Sequence, residues 1–180
     1  MTAGERQYHL RYWPEEDRVS LSVDVDDGHE ARFMVTRRLV RGLIGLLAEI
    51  IARRAGPEKG DPPTSVERVN ECLRFAHEAA VARSRAGGRI GTGSPAKEPA
   101  APPILINRVD VRGRPGGEIS VQLSRDEQVL TLSFSQEALH VFIDSVLRVA
   151  AHAQWDITLG QRWLQPSAHP FAAGSGIVFH

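Results

Sequence analysis

Residues 18–54 read RVSLSVDVDDGHEARFMVTRRLVRGLIGLLAEIIARR, and the fold class turns on them. Val19, Leu21, Val23 and Val25 alternate with Ser20, Ser22 and Asp24, the period of two that belongs to a strand with one wet face. Asp26-Asp27-Gly28 supplies a pair suited to positive φ, and Ala31, Phe33 and Val35 resume the alternation, so the two runs predict an antiparallel hairpin. Thr36 follows as a helix N-cap, its hydroxyl placed to accept from an amide that the first turn leaves unpaired. From Arg37 to about Arg54, apolar residues at Leu39, Val40, Leu43, Ile44, Leu46, Leu47, Ile50 and Ile51 cover more than the stripe of a surface helix, which predicts burial on two sides. Gly42 and Gly45 each weaken this helix by about 1 kcal/mol relative to alanine, so close approach of another backbone is expected there.

Upstream, Gln7 to Trp13 alternates Tyr8, Leu10 and Tyr12 against polar neighbours until Pro14 stops it, adding a strand before the hairpin. Downstream the same order returns. Ile104 to Val111 is a β-rich run, Arg112 to Gly117 a turn, Glu118 to Ser124 a strand with Ile119, Val121 and Leu123 on one face, and Arg125-Asp126-Glu127 a tight turn. Leu130, Leu132 and Phe134 then alternate, Ser135 takes the N-cap position, and a helix rich in Leu139, Val141, Phe142, Ile143, Val146 and Leu147 follows. Setting Thr36 over Ser135 puts Phe33 over Leu132, Val35 over Phe134, Val40 over Leu139, Leu43 over Phe142 and Ile44 over Ile143. The expectation is an α+β protein made by internal duplication of a βββα unit, an antiparallel three-stranded meander plus a helix.

Five segments follow: a first unit over 1–56, an inserted amphipathic helix over 57–86, a flexible Gly/Pro/Ala linker over 87–103, a second unit over 104–154 and a tail over 155–180. The inserted helix starts at a capping box, Thr64-Ser65-Val66-Glu67, and its inward stripe is read as Val66, Val69, Leu73, Ala76 and Ala80. The linker buries too little apolar surface to offset its ordering entropy. In the tail, Ile157 and Leu159 suggest a short strand, Gln161 to Leu164 a turn of helix, and Ile177-Val178-Phe179 an apolar end that packs back on the protein. The two units are expected to share one domain, with the two apolar helices meeting.

Twenty-two basic and twenty-two acidic side chains cancel, so no global field draws the chain to nucleic acid or anionic lipid. The start has no charged-then-apolar leader, and Leu39 to Ala52 is shorter than the roughly 20 apolar residues of a membrane span, which makes a cytoplasmic protein away from the membrane the expectation. The lone Cys72 excludes an internal disulfide and is expected as a small buried apolar side chain.

No catalytic, cofactor or metal residues are assigned. None of His9, His29, His77, His140, His152, His169 and His180 has zinc-site spacing, and His140 with Asp144, one helical turn apart, reads as a solvated face. The serines lack a Gly-x-Ser-x-Gly elbow, and Cys72 has no catalytic signature around it. Glu15-Glu16-Asp17 and Asp26-Asp27 are turn carboxylates with near-ordinary acidity, and Gly87 to Gly93 lacks the strand and helix that a phosphate loop needs.

The expected function is therefore a non-enzymatic protein-interaction module, a subunit, adaptor or chaperone-like component, whose partner is another protein or a second copy of the chain. The alternative is single-stranded nucleic-acid binding through Arg11, Trp13, Arg32, Arg37, Arg38 and Arg41, which combine phosphate contacts with one stacking platform. The duplicated sheet-plus-helix layout resembles in outline the PUR-type and Whirly-type nucleic-acid-binding proteins. Those repeats have four strands before each helix where three are read here, and no motif residue is matched, so the resemblance implies an architecture and assigns no residues.

Overall fold

The computed structural model describes residues 8–24, 29–55, 65–86, 101–113 and 117–164. It is an α+β protein with two sheets and three α-helices. Strands β1 (Tyr8–Trp13), β2 (Arg18–Asp24) and β3 (Glu30–Thr36) lead into helix α1 (Arg37–Arg54), followed by helix α2 (Val66–Ala86) and the short strand β4 (Ile104–Leu105). Strands β5 (Arg108–Gly113), β6 (Ile119–Arg125) and β7 (Gln128–Phe134) then lead into helix α3 (Gln136–His152), and a 3-10 turn covers Arg162–Leu164.

Alternation puts Val19, Leu21 and Val23 into the core on β2, and Ile119, Val121 and Leu123 on β6, every one at most 2% exposed. Both caps form as their residue types dictate: the Leu39 amide donates to Thr36 Oγ1 and the Ala138 amide to Ser135 Oγ. The strands run antiparallel in the orders β1-β2-β3 and β5-β6-β7. Each helix reaches across: α1 packs on β5 as well as β3, and α3 packs on β1 as well as β7, while α1 and α3 also touch. One continuous core results, which explains why both helices need wide apolar faces. Tyr8, Phe134 and Phe142, drawn from β1, β7 and α3, form its aromatic centre, with ring centroids 4.8–6.2 Å apart.

Several expectations are corrected. Ile104 to Val111 is not one strand: β4 pairs parallel with β3, whereas β5 pairs antiparallel with β6 in the other sheet. The chain crosses between sheets at Ile106, 1% exposed, whose amide donates to the Met34 carbonyl, and at Asn107, whose amide donates to that of Ser124. The first sheet thus has four strands, because pairing with β3 satisfies backbone groups that the crossing would otherwise bury unpaired. The hydroxyl bonded to the Arg68 amide at the start of α2 is that of Ser65. Residues 157–159 form no strand, while the helical turn near Leu164 is present. Among the described residues, nothing lies within 4 Å of a Cβ added at Gly42 or Gly45, so no described backbone approaches them.

No helix among the described residues is long and apolar enough to cross a membrane. The Asp26-Asp27-Gly28 turn, Thr64, Gly87 to Gly93, residues 87–100 of the linker and Ile177-Val178-Phe179 lie outside the described residues.

Candidate functional site

Three groups of side chains carry more than packing. The first lies on the outer face of the β1-β2-β3-β4 sheet, where period-two geometry turns His9, Arg11 and Trp13 away from the core. Trp13 leans across β2, and its indole Nε1 donates to Ser20 Oγ at 2.9 Å, while that hydroxyl donates to the Arg11 carbonyl at 3.3 Å. The guanidiniums of Arg11 and Arg32 sit over the same ring, 5.1 and 5.2 Å from its centroid. Arg32 is also bound to Glu30 in a largely buried ion pair. The outward serines Ser20 and Ser22 are buried on this face, Ser20 through its bond to Trp13.

Of the six residues expected to contact nucleic acid, the structure gathers Arg11, Trp13 and Arg32. Arg37 instead donates to the Asp156 carbonyl at 3.2 Å, and Arg38 and Arg41 project from the first turns of α1, exposed. No acidic residue lies in that first turn, so the helix dipole is not offset there.

Asp17, expected as an ordinary turn carboxylate, has a specific role. It adopts φ 48°, and its Oδ1 accepts from Trp155 Nε1 at 2.6 Å and from Tyr12 Oη at 2.9 Å. These two bonds, the Trp155 indole first, hold its carboxyl below the usual range against a small opposing effect of burial. The segment after α3 is thereby strapped to the β1–β2 turn.

The second group is a polar hollow of about 230 Å³ on the outer face of β5-β6-β7, lined by Arg112, Gly113, Ser120, Gln122 and Thr131. Arg54, at the end of α1, reaches its edge and donates to the Gly117 and Glu118 carbonyls.

The third group is helix α2, which lies on α3 and the 3-10 turn. Its buried residues are Leu73, Ala80, Val81 and Ser84. Leu73 and Ala80 of the expected inward stripe are buried and Val69 packs on the core, but Val66 is 72% exposed, and Cys72 is exposed, not a buried apolar side chain. Facing outward are Cys72, Phe75, Ala79, Ala82 and Ala86, alternately three and four residues apart, with Phe75 73% exposed. Arg83 and Arg85 turn toward α3, pairing with Glu137 at 2.9 Å and Asp144 at 3.8 Å, so this outward stripe stays small and apolar.

On the inward side His77 meets His140, which is 2% exposed, with Nδ1 to Nδ1 at 3.3 Å. Both rings stand edge-on to Trp163 at 5.6 Å. His140 Nε2 and Trp163 Nε1 are buried without a hydrogen-bond partner. Burial, and secondarily the charge of His77, pushes His140 down to about 4, and burial lowers His77 too. His140 and Asp144 do share a helix face, but it is not solvated: Asp144 is raised by burial and held by Arg148 at 2.8 Å. Among the described residues, no three His, Cys, Asp or Glu side chains are placed to hold a metal ion.

Sequence reasoning missed the histidine pair. His77 and His140 stand 63 residues apart, and the one usable signal was that each borders an apolar helix stripe. In comparisons with known proteins, the chain matches no family model, no curated protein and no solved structure.

Proposed function

We propose that the chain is a non-enzymatic protein-interaction module, a subunit, adaptor or chaperone-like component, which docks another helix on the outward face of α2. The observation that carries this is Phe75, 73% exposed within a stripe of small residues with heptad spacing. A phenylalanine loses about 1.5–3 kcal/mol of favourable transfer free energy by staying in water, and small neighbours let a second helix approach closely enough to cover it. The occupant this reading favours is a second copy of the chain, since the same stripe then serves both sides. Sedimentation equilibrium of wild type and Phe75→Glu tests it: wild type should self-associate and the variant should not. A monomeric wild type up to high concentration would remove self-association.

The duplication belongs to the same reading. Phe33 and Leu132, Val35 and Phe134, Val40 and Leu139, Leu43 and Phe142, and Ile44 and Ile143 are buried pairs in one register, which supports descent of the two βββα runs from one unit.

A second reading, single-stranded nucleic-acid binding, is favoured by the convergence of Arg11, Trp13 and Arg32. An incoming base would have to displace a guanidinium from the Trp13 ring. Titrating oligonucleotides against tryptophan fluorescence decides it, because phosphate-driven binding must appear at low salt and weaken steeply as salt rises. Absence of binding at low salt removes this reading.

A further inference from the structure

We propose that His77 and His140 form a proton-operated latch: while neutral they hold α2 against α3, and on protonation they release α2 with the two sheets and α1 still folded. The argument begins with the contact itself. At 3.3 Å, one Nδ1 must donate and the other accept, so the pair works only while one of the two nitrogens is unprotonated. Two imidazolium ions would set donors head to head at the same distance. Trp163, the third ring of the cluster, offers only a donor and cannot accept the extra proton.

The charged groups around the pair do not compensate. On α3, Glu137 is paired with Arg83, and Asp144 with Arg148 and Arg85. On α2, the neighbouring ionisable side chains are Arg74 and Glu78, of which Glu78 is exposed, and the 3-10 turn adds Arg162. Both histidines accordingly resist protonation, His77 by burial, and His140 by burial and the field of His77. An undocked histidine titrates near 6.5, whereas His140 in place waits until about 4. Docking is therefore at full strength above 6.5 and weakens as pH falls toward 4.

Release is separable from global unfolding because the main contacts of α2 are with α3 and the 3-10 turn. The latch concerns the inward face of α2 and stands whether or not its outward face docks a partner.

Hydrogen exchange read by mass spectrometry on the full chain, at about pH 7 and about pH 5 and corrected for intrinsic rates, tests the proposal. Linkage gives a docking equilibrium weaker at the lower pH by on the order of 30-fold. Peptides from Val66–Ala86 should lose protection by a comparable factor, while β2, β6 and α1 keep theirs. His140→Phe, which keeps a ring in the cluster but removes the group with the largest fall, should remove most of the difference between the two pH values, with circular dichroism confirming that it folds. Undiminished α2 protection at low pH, loss of α2 and sheets together, or an undiminished pH response in His140→Phe would each overturn the latch.

Discussion

Helices α1 and α3 hold equivalent places after their sheets, yet their outer faces have different surroundings. Over α3 lie α2 and the 3-10 turn, whereas among the described residues nothing lies against Gly42 and Gly45 of α1. At positions 99 residues apart, Arg38 answers Glu137, Arg41 answers His140, and Gly45 answers Asp144. Where the face is covered, polar side chains must find partners inside the protein, and their proton affinities shift. Where no described residue lies over it, the arginines stay in water. A third layer, then, separates a helix that carries chemistry from one that only closes the core.

The largest expected effect lies in what the two helices share. Phe142→Ala should cost about 4 kcal/mol and its counterpart Leu43→Ala about 3 kcal/mol, because both remove core volume that the neighbours refill only in part. Denaturant midpoints at unchanged slope measure this, and a small loss in either would show that one helix lies outside the common core.

Next comes pH, which should act on the α3 side alone. The fall of His140 from 6.5 to about 4 makes the neutral form the one that favours folding. Between those values wild type should lose about 3 kcal/mol, a loss absent from His140→Phe, as followed by urea melts across the range. Equal pH dependence in the variant would assign the effect to other groups.

A smaller effect, of opposite sign, belongs to α1. Gly45→Ala should raise stability by about 1 kcal/mol, since its Cβ meets nothing and the helix gains propensity. Gly113→Ala should change stability little, because its Cβ would lie 2.9 Å from Arg54 Nη2, the end of an exposed flexible side chain that can swing aside from Gly117 and Glu118. Thermal melts compare the two. Least of all, at concentrations where the chain is monomeric, Phe75→Ser should change stability by less than about 0.5 kcal/mol, since the side chain is then in water.

How much was legible beforehand follows from the range of the forces involved. Strand alternation, the Thr36 and Ser135 caps and the wide helix stripes are local, and they could be read directly. The crossing at Ile106 was not, because a two-residue strand is created by its distant partner β3 and not by its own pattern. The exposure of Val66 and Cys72 was missed for a related reason. How much of an alanine-rich helix is covered depends on where α3 and the 3-10 turn lie against it, which its own pattern does not state. Of the proposed arginine surface, convergence of Arg11, Trp13 and Arg32 was readable from strand parity, while the tie from Arg37 to Asp156 depends on a segment 119 residues away.

The claim that most needs testing is that the outward face of α2 is a docking surface. A photoreactive phenylalanine analogue at position 75, irradiated in the purified protein, addresses it directly. The account predicts a crosslinked dimer whose adduct maps to the Cys72–Ala86 stripe of a second copy. Crosslinks only to solvent or within one chain, at concentrations where the protein is used, would contradict it.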